Sequence, residues 1–305
     1  PSRRVLVVTD SGVPAAYAKT LAQQCREPVI LTVEAGEGSK SMETFGRLLG
    51  AMLDHGFSRK DCVVAVGGGV VGDLAGFAAS VFMRGIDFYN LPTTVLSQVD
   101  SSIGGKVAVN FGGVKNIVGA FYQPKAVLID PDVLSTLPKR QIANGLAEAL
   151  KMALTSDAEL FELFERGEAI ENMDTVIERS LRIKKSIVEY DEKESDLRRI
   201  LNFGHTLGHG IEAASGEKLY HGECVAIGMI PMCDSTVRER LIPVLNKLNL
   251  ITAVECEKEK IFEAMRHDKK MSGEAITVIF VPEVGSFQMK TMNFNELVDL
   301  LKGVI

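Results

Sequence analysis

The run Cys62-Val-Val-Ala-Val66 passes directly into Gly67-Gly68-Gly69, and Val70 to Phe82 then has the spacing of an apolar helix. A β-branched run, a glycine turn and a helix in that order belong to a layered α/β structure. Gly67-x-Gly69-x-x-Gly72 has the spacing of dinucleotide-binding turns, in the strand–turn–helix setting that motif requires. Glycines let backbone N–H groups close on a pyrophosphate, and the helix start offers the positive end of its dipole. Asp73, in the first helical turn, is placed to hydrogen-bond a sugar or an amide. The same spacing also fits a plain tight turn. The turn follows the third strand rather than the first, which disfavours an ordinary Rossmann dehydrogenase.

The flanking pattern supports the α/β reading. Strands are expected at Val5–Val8, Val29–Val33, Ile86–Leu91 and Ala126–Ile129, with helices at Pro14–Cys25 and Ser41–His55. Repeated strand–helix alternation predicts a parallel sheet with helices on both faces. From Lys139 onward helical periodicity dominates, at Lys139–Leu154, Asp174–Tyr190, Asn202–Ala214 and Gly222–Met232. Strand signals return at Ala275–Val281 and Ser286–Met289. The change of character places a domain boundary near Pro138, giving domains 1–137 and 138–305. There are no internal repeats.

Composition narrows the functional classes. With 34 Lys+Arg against 40 Asp+Glu the net charge is −6, which argues against a dedicated nucleic-acid binder. The longest apolar stretch, Cys62–Phe82, carries Asp73 and five glycines and is rejected as a membrane span. The five cysteines, Cys25, Cys62, Cys224, Cys233 and Cys256, are widely spaced and odd in number. They read as reduced thiols of a cytoplasmic protein. No signal peptide opens the chain, and a missing N-terminal segment is plausible because Pro1 stands almost at the first strand.

Three of the five histidines cluster in Asn202-Phe-Gly-His205-Thr-Leu-Gly-His209 and His221-Gly-Glu223. His205 and His209, four residues apart, share a helix face, a geometry suited to a divalent metal. His221 could complete the set. Spacing leaves open whether His209 is a ligand or a neighbour. Glu148, inside the apolar run around Leu146–Lys151, is the candidate carboxylate, since an unpaired charge there would be costly. The segments Gln98–Lys106 and Gly113–Asn116 concentrate glycines, lysines and hydroxyls, and read as a loop that handles phosphate or several hydroxyl groups. Arg84, Lys151, Lys184, Arg198 and the pair Lys269-Lys270 are further cations; each alone is an ordinary surface residue, except Lys151, three residues after Glu148.

Taken together, these motifs resemble the 3-dehydroquinate synthase family, of the sugar-phosphate cyclase superfamily. The resemblance runs from the first strand to at least Lys270. It is carried by Gly67–Asp73, Leu91-Pro-Thr-Thr94, Gln98–Lys106, Lys115-Asn116, Ala120–Pro124, Ala147-Glu148 with Lys151, Asn202–His205 with His209, and His221-Gly-Glu223. It implies a Rossmann-like NAD-binding domain, a mostly α-helical metal- and substrate-binding domain, and an active site in the cleft between them. It implies zinc or cobalt held by Glu148, His205 and His221, with His209 a non-ligand on the substrate phosphate. NAD would lie along Asp10, the turn Gly36, Glu37, Gly38, Ser39 and Lys40, the segment Gly68, Gly69, Val70, Val71, Gly72 and Asp73, then Thr93, Thr94 and Val133, Leu134, Ser135, Thr136. Lys106 and Lys115 would stand near the nicotinamide end. Asp100, Asn116, Lys151, Lys184, Arg198, Asn202 and one of Lys269 or Lys270 would complete the substrate pocket. Arg84 would reach the phosphate of a neighbouring subunit, which implies a homodimer.

The implied reaction converts 3-deoxy-D-arabino-heptulosonate 7-phosphate to 3-dehydroquinate and phosphate, with NAD taking and later returning a hydride. The family usually has Asn after the acidic residue of the first strand, where this chain reads Asp10-Ser11-Gly12. A strand pair that usually precedes Val5 is absent, and the region after Met232 is shorter by about one helix. Competing readings are another sugar-phosphate cyclase, a metal-dependent polyol dehydrogenase, and an NAD-binding regulator without activity. The polyol reading has no use for the Gln98–Lys106 segment.

Overall fold

The structure, a computed structural model, describes residues 3–194, 196–216, 218–254, 258–267 and 275–301. The chain divides into two compact units, Pro1–Leu137 and Pro138–Ile305.

The first unit contains β1 (Arg4–Asp10), α1 (Ala15–Gln23), β2 (Glu27–Val33), α2 (Met42–Asp54), β3 (Cys62–Gly67), α3 (Gly69–Val81), β4 (Asp87–Pro92), β5 (Lys106–Phe111), β6 (Val114–Phe121) and β7 (Ala126–Val127). Five strands pair in parallel in the order β2-β1-β3-β4-β7. Alternation along the strands divides the core between the two faces of the sheet. Val5, Val7, Cys62, Val64 and Val66 pack with Ala18, Tyr17 and Leu21 of α1. Leu6, Val8, Val63 and Ala65 pack on the opposite face with Phe45, Leu48 and Met52 of α2 and Leu74, Phe77 and Ala78 of α3. Each fully buried Leu or Phe among these contributes roughly 1.5–3 kcal/mol. Helices therefore cover both faces.

One expectation is corrected in this unit. The glycine- and lysine-rich stretch from Gln98 to Asn116 is not one loop. Ser97–Ser101 forms a single π-helical turn, and β5 and β6 form an antiparallel hairpin. Gly112 and Gly113 make its turn at φ 60° and 78°, values that L residues adopt only with strain. Lys106 thus opens a strand, and Lys115 and Asn116 lie on its partner.

The second unit contains α4 (Lys139–Ser156), α5 (Ala158–Arg166), α6 (Met173–Tyr190), α7 (His205–Ser215), α8 (His221–Met229), α9 (Ser235–Lys247), α10 (Lys258–His267), the antiparallel pair β8 (Ala275–Phe280) and β9 (Gln288–Asn293), and α11 (Phe294–Leu301). Every residue of α4 from Ala143 to Thr155 is buried, so this helix is the axis of the unit. Two helix boundaries differ from expectation by three residues. Gly204 takes a left-handed conformation at φ 77°, so α7 starts at His205 and Asn202 falls in the 3₁₀ turn Leu197–Asn202. Helix α8 stops at Met229, where Pro231 cannot donate a backbone hydrogen bond, and a short 3₁₀ turn leads to Cys233. There Asp234 N donates to Val281 O at 2.9 Å and Val281 N to Met232 O at 2.9 Å, tying the segment after α8 to the end of β8. No helix among the described residues is long and apolar enough to cross a membrane.

Candidate active site

In the second unit, the burial of α4 on all sides explains why Glu148 and Lys151 lose contact with water. Glu148 is 0% and Lys151 2% exposed. The Lys151 ammonium pairs with Glu148 Oε2 and also donates to Leu201 O at 2.7 Å, which joins α4 to the Leu197–Asn202 turn. Glu148 Oε1 has no hydrogen-bond partner among the described residues. It faces two imidazoles, with His221 Nε2 at 3.4 Å and His205 Nε2 at 3.6 Å. One ligand atom from each of Glu148, His205 and His221 can be chosen so that all lie within 4.8 Å of one another. The rings of His205 and His221 are 5.1 Å apart.

Each imidazole is supported from behind. His205 Nδ1 lies 3.0 Å from Phe203 O, and His221 Nδ1 lies 2.9 Å from Glu212 Oε2. Burial pushes the Glu148 carboxyl up, but the Lys151 charge and His221 outweigh it and hold the group well below the usual carboxylate range. Burial draws His221 down, yet the carboxylates of Glu148 and Glu212 outweigh that effect and push it up to about 10. A buried carboxylate oxygen without a hydrogen bond, facing two imidazole nitrogens, is a donor set that fits a borderline divalent cation such as zinc.

His209 stands apart from this group. Its ring lies beside the cluster, 5.3 Å from that of His205 and 6.0 Å from that of His221, but it does not belong to the set of converging donor atoms. Three other expected residues stand on elements packed against α4. Lys184 is buried on α6. Arg198, buried in the 3₁₀ turn, donates its backbone N–H to Asp191 Oδ2 at 3.0 Å and its guanidinium to Glu192 O. Asn202 Nδ2 donates to Glu194 Oε1 at 2.6 Å, and Glu194 is held at a left-handed φ of 61°. Lys269 and Lys270 lie outside the described residues.

In the first unit, the expected dinucleotide residues other than Lys106 and Lys115, which lie on the β5–β6 hairpin, stand at or after the carboxyl ends of the five parallel strands. Asp10 closes β1, Gly36–Lys40 follow β2, Gly68–Asp73 follow β3, Thr93 and Thr94 follow β4, and Val133–Thr136 follow β7. In an open parallel sheet, ligands bind at this edge where the strand order reverses. Here that point lies between β1 and β3, since β1 has β2 on its other side. The position of the glycine turn on the third strand is thereby accounted for.

Hydrogen bonds tie these segments together. Thr93 N donates to Gly67 O at 2.9 Å, and Lys40 Nζ reaches Asp73 Oδ2 at 2.5 Å. Asn110 Nδ2 donates to Glu37 Oε1 at 2.8 Å, so the β5–β6 hairpin braces the Gly36–Lys40 turn. Asn116, at φ 54°, donates its backbone N–H to Asn110 Oδ1. Asp10 accepts from Gly12 N and Val13 N, which makes the chain turn away at the end of β1. A pocket of about 70 Å³ is lined by Tyr17, Val66, Leu91, Thr93, Asp130 and Val133. Asp100 lies on the π-helical turn, and Arg84 is exposed in the turn after α3.

Two supports were not anticipated from the sequence, Glu212 and the pairing of Arg140 with Glu223. Glu212 stands seven residues after His205 on the same helix, a spacing that marks a shared face. Arg140 donates to both carboxylate oxygens of Glu223 at 2.7 and 2.8 Å, and Glu223 accepts from Tyr220 N at 2.8 Å, fixing the start of α8 at His221.

Residues 30–144 match the family model for the 3-dehydroquinate synthase N-terminal region, and residues 145–271 that for its C-terminal region. The chain is 43% identical to the 3-dehydroquinate synthase of Thermoanaerobacter pseudethanolicus, over 99% of this chain and 90% of the relative. Among solved structures, a 2-deoxy-scyllo-inosose synthase complexed with carbaglucose-6-phosphate, NAD+ and Co2+ superposes with a TM-score of 0.91 at 28% identity, covering 99% of this chain and 91% of that one. The 2-epi-5-epi-valiolone synthase of Streptomyces hygroscopicus subsp. jinggangensis, with NAD+ and Zn2+ bound, also superposes with a TM-score of 0.91, at 30% identity and the same coverage.

Proposed function

Because the chain belongs to the 3-dehydroquinate synthase family, we propose that it converts 3-deoxy-D-arabino-heptulosonate 7-phosphate to 3-dehydroquinate and phosphate. The observation that carries this reading is the convergence of Glu148 Oε1 with His205 and His221, in a chain whose glycine turn stands at the switch point of a parallel sheet. Glu148, His205 and His221 would hold zinc or cobalt. The edge formed by Asp10, Gly36–Lys40, Gly68–Asp73, Thr93, Thr94 and Val133–Thr136 would hold NAD, with Lys106 and Lys115 near its nicotinamide. When bound, the metal supplies Lewis-acid polarisation of an alcohol oxygen, and NAD supplies a hydride acceptor that is regenerated in the same cycle.

The chain's own residues do the rest. Lys151 neutralises one oxygen of Glu148 and keeps the other directed at the imidazoles. Lys184 and Arg198 bring cations to an anionic substrate, and Asp100, Asn116 and Asn202 supply hydrogen-bond partners for hydroxyl groups. His209, beside the cluster but outside it, would contact the substrate phosphate rather than the metal. Fixed cations and dipoles of this kind stabilise oxyanions as they develop, without reorganisation at the moment of reaction. Lys269 or Lys270 belongs to the same proposal.

A homodimer is part of the proposal, with Arg84 directed to the partner's substrate phosphate. Supporting this, Met83 and Arg84 both take left-handed backbone conformations, at φ 49° and 71°, in an exposed turn. Strain of about 1–3 kcal/mol at such a residue is usually kept where function needs it. A cytoplasmic location is likewise proposed, supported by the absence of any disulfide among the described cysteines. The substrate is tested by offering the purified protein, with NAD and zinc, either the heptulosonate phosphate or a hexose 6-phosphate. Mass-spectrometric detection of 3-dehydroquinate from the first alone supports the reading; a carbocycle from the second alone would assign a different cyclase.

A further inference from the structure

Three glycines let the backbones of α7 and α8 close together. A Cβ on Gly228 would lie 2.0 Å from Gly204 O, and one on Gly208 would lie 3.2 Å from Cys224 O. The partners run in opposite directions along the two helices, so the next pair along this seam is Glu212 with His221. His205, His209 and Glu212 stand at i, i+4 and i+7 of α7 and share the face that meets the seam. The 2.9 Å contact between Glu212 Oε2 and His221 Nδ1 therefore follows from the register that the glycines impose.

That contact decides the chemistry of the ring. A carboxylate only accepts, so Nδ1 keeps its hydrogen toward Glu212, and a cation that displaces the proton from Nε2 would meet the lone pair there. Nε2 is the nitrogen that faces Glu148 Oε1. We propose that Glu212 is a positioning residue for the metal: it fixes the tautomer of His221 and aims its Nε2 at the cation. The proposal rests on the reading of Glu148, His205 and His221 as ligands. His205 is held through Nδ1 as well, but by the backbone carbonyl of Phe203. Glu212 is thus the support that a substitution can remove. Such partners of metal-ligating histidines typically change metal affinity about 10–100-fold.

The test uses the full chain stripped of metal and titrated with zinc against a chromophoric chelator, with cobalt absorption as a second readout. Glu212→Ala should weaken zinc about 10–100-fold and alter the cobalt d–d bands. Glu212→Gln, whose amide oxygen still accepts from Nδ1–H, should stay within about threefold of the parent and keep the cobalt spectrum. Circular dichroism of both variants should match the parent, and His221→Ala should lose zinc altogether. Parent-like zinc affinity in Glu212→Ala, or equal weakening in the two variants, would overturn the role of Glu212. Zinc retained at parent affinity by His221→Ala would overturn the ligand assignment itself, whatever Glu212 does.

Discussion

Glu148 and Lys151 stand three residues apart on α4, both cut off from water, with the ammonium on Oε2 while Oε1 faces His205 and His221. Removing the lysine leaves a buried carboxylate without its counter-ion. Lys151→Met should therefore destabilise the metal-free protein by about 3–5 kcal/mol, read from urea unfolding. Added zinc should recover part of the loss, because a bound cation replaces the missing charge.

The four residues of the cluster should separate by metal content. Glu148→Gln, His205→Ala and His221→Ala should each be isolated without zinc, while His209→Ala keeps it. Elemental analysis of dialysed protein checks this. Zinc lost from His209→Ala and retained by His221→Ala would exchange their roles.

Gly228 is seven residues from His221, yet its backbone sets how closely α8 approaches α7. A methyl group there meets Gly204 O at 2.0 Å. Gly228→Ala should cost roughly 1–3 kcal/mol through overpacking, and should weaken zinc binding by shifting His221 from its partners. Thermal unfolding and zinc titration together check both effects.

The pairing of Glu223 with Arg140 predicts a pH dependence of stability. Burial raises the Glu223 carboxyl, but the Arg140 guanidinium and the Tyr220 N–H outweigh it, and the net shift is downward. A carboxyl whose folded value is depressed stabilises the fold above its unfolded value, and that contribution disappears as pH falls through the folded value. The stability gap between the parent and Glu223→Gln should be full at neutral pH and shrink as pH falls from about 5 to 3. Unfolding free energies across that range check the sign; a gap that widens in acid would contradict it.

The elements read most directly from sequence were those whose pattern had a single physical cause. The β-branched runs at Val5 and Cys62 form central strands buried on both faces, while the run at Val29 forms the edge strand β2. The glycine turn was legible as a motif, while its place on β3 made sense only once the strand order was known. The β5–β6 hairpin was missed because its glycines and lysines resembled a phosphate loop, although alternating residues on either side of Gly112-Gly113 carried the hairpin signal. Helices α5 and α9 are not evident from the sequence despite Asp157 and Asp234 at their N-caps, α5 because it is short and α9 because Pro243 stands inside it. Glu148 was legible as a misplaced charge. Glu212 was not, because a glutamate on a helix is ordinary until the register of α7 against α8 brings it to His221.

In the proposed reaction the cofactor is reduced and reoxidised within one turnover. The most direct test follows inorganic phosphate and NADH absorbance together in one sample of protein, NAD, zinc and the heptulosonate phosphate. Phosphate released over many turnovers without net NADH is the predicted result. NADH rising in step with substrate consumed, with no phosphate released, would contradict it and indicate a dehydrogenase.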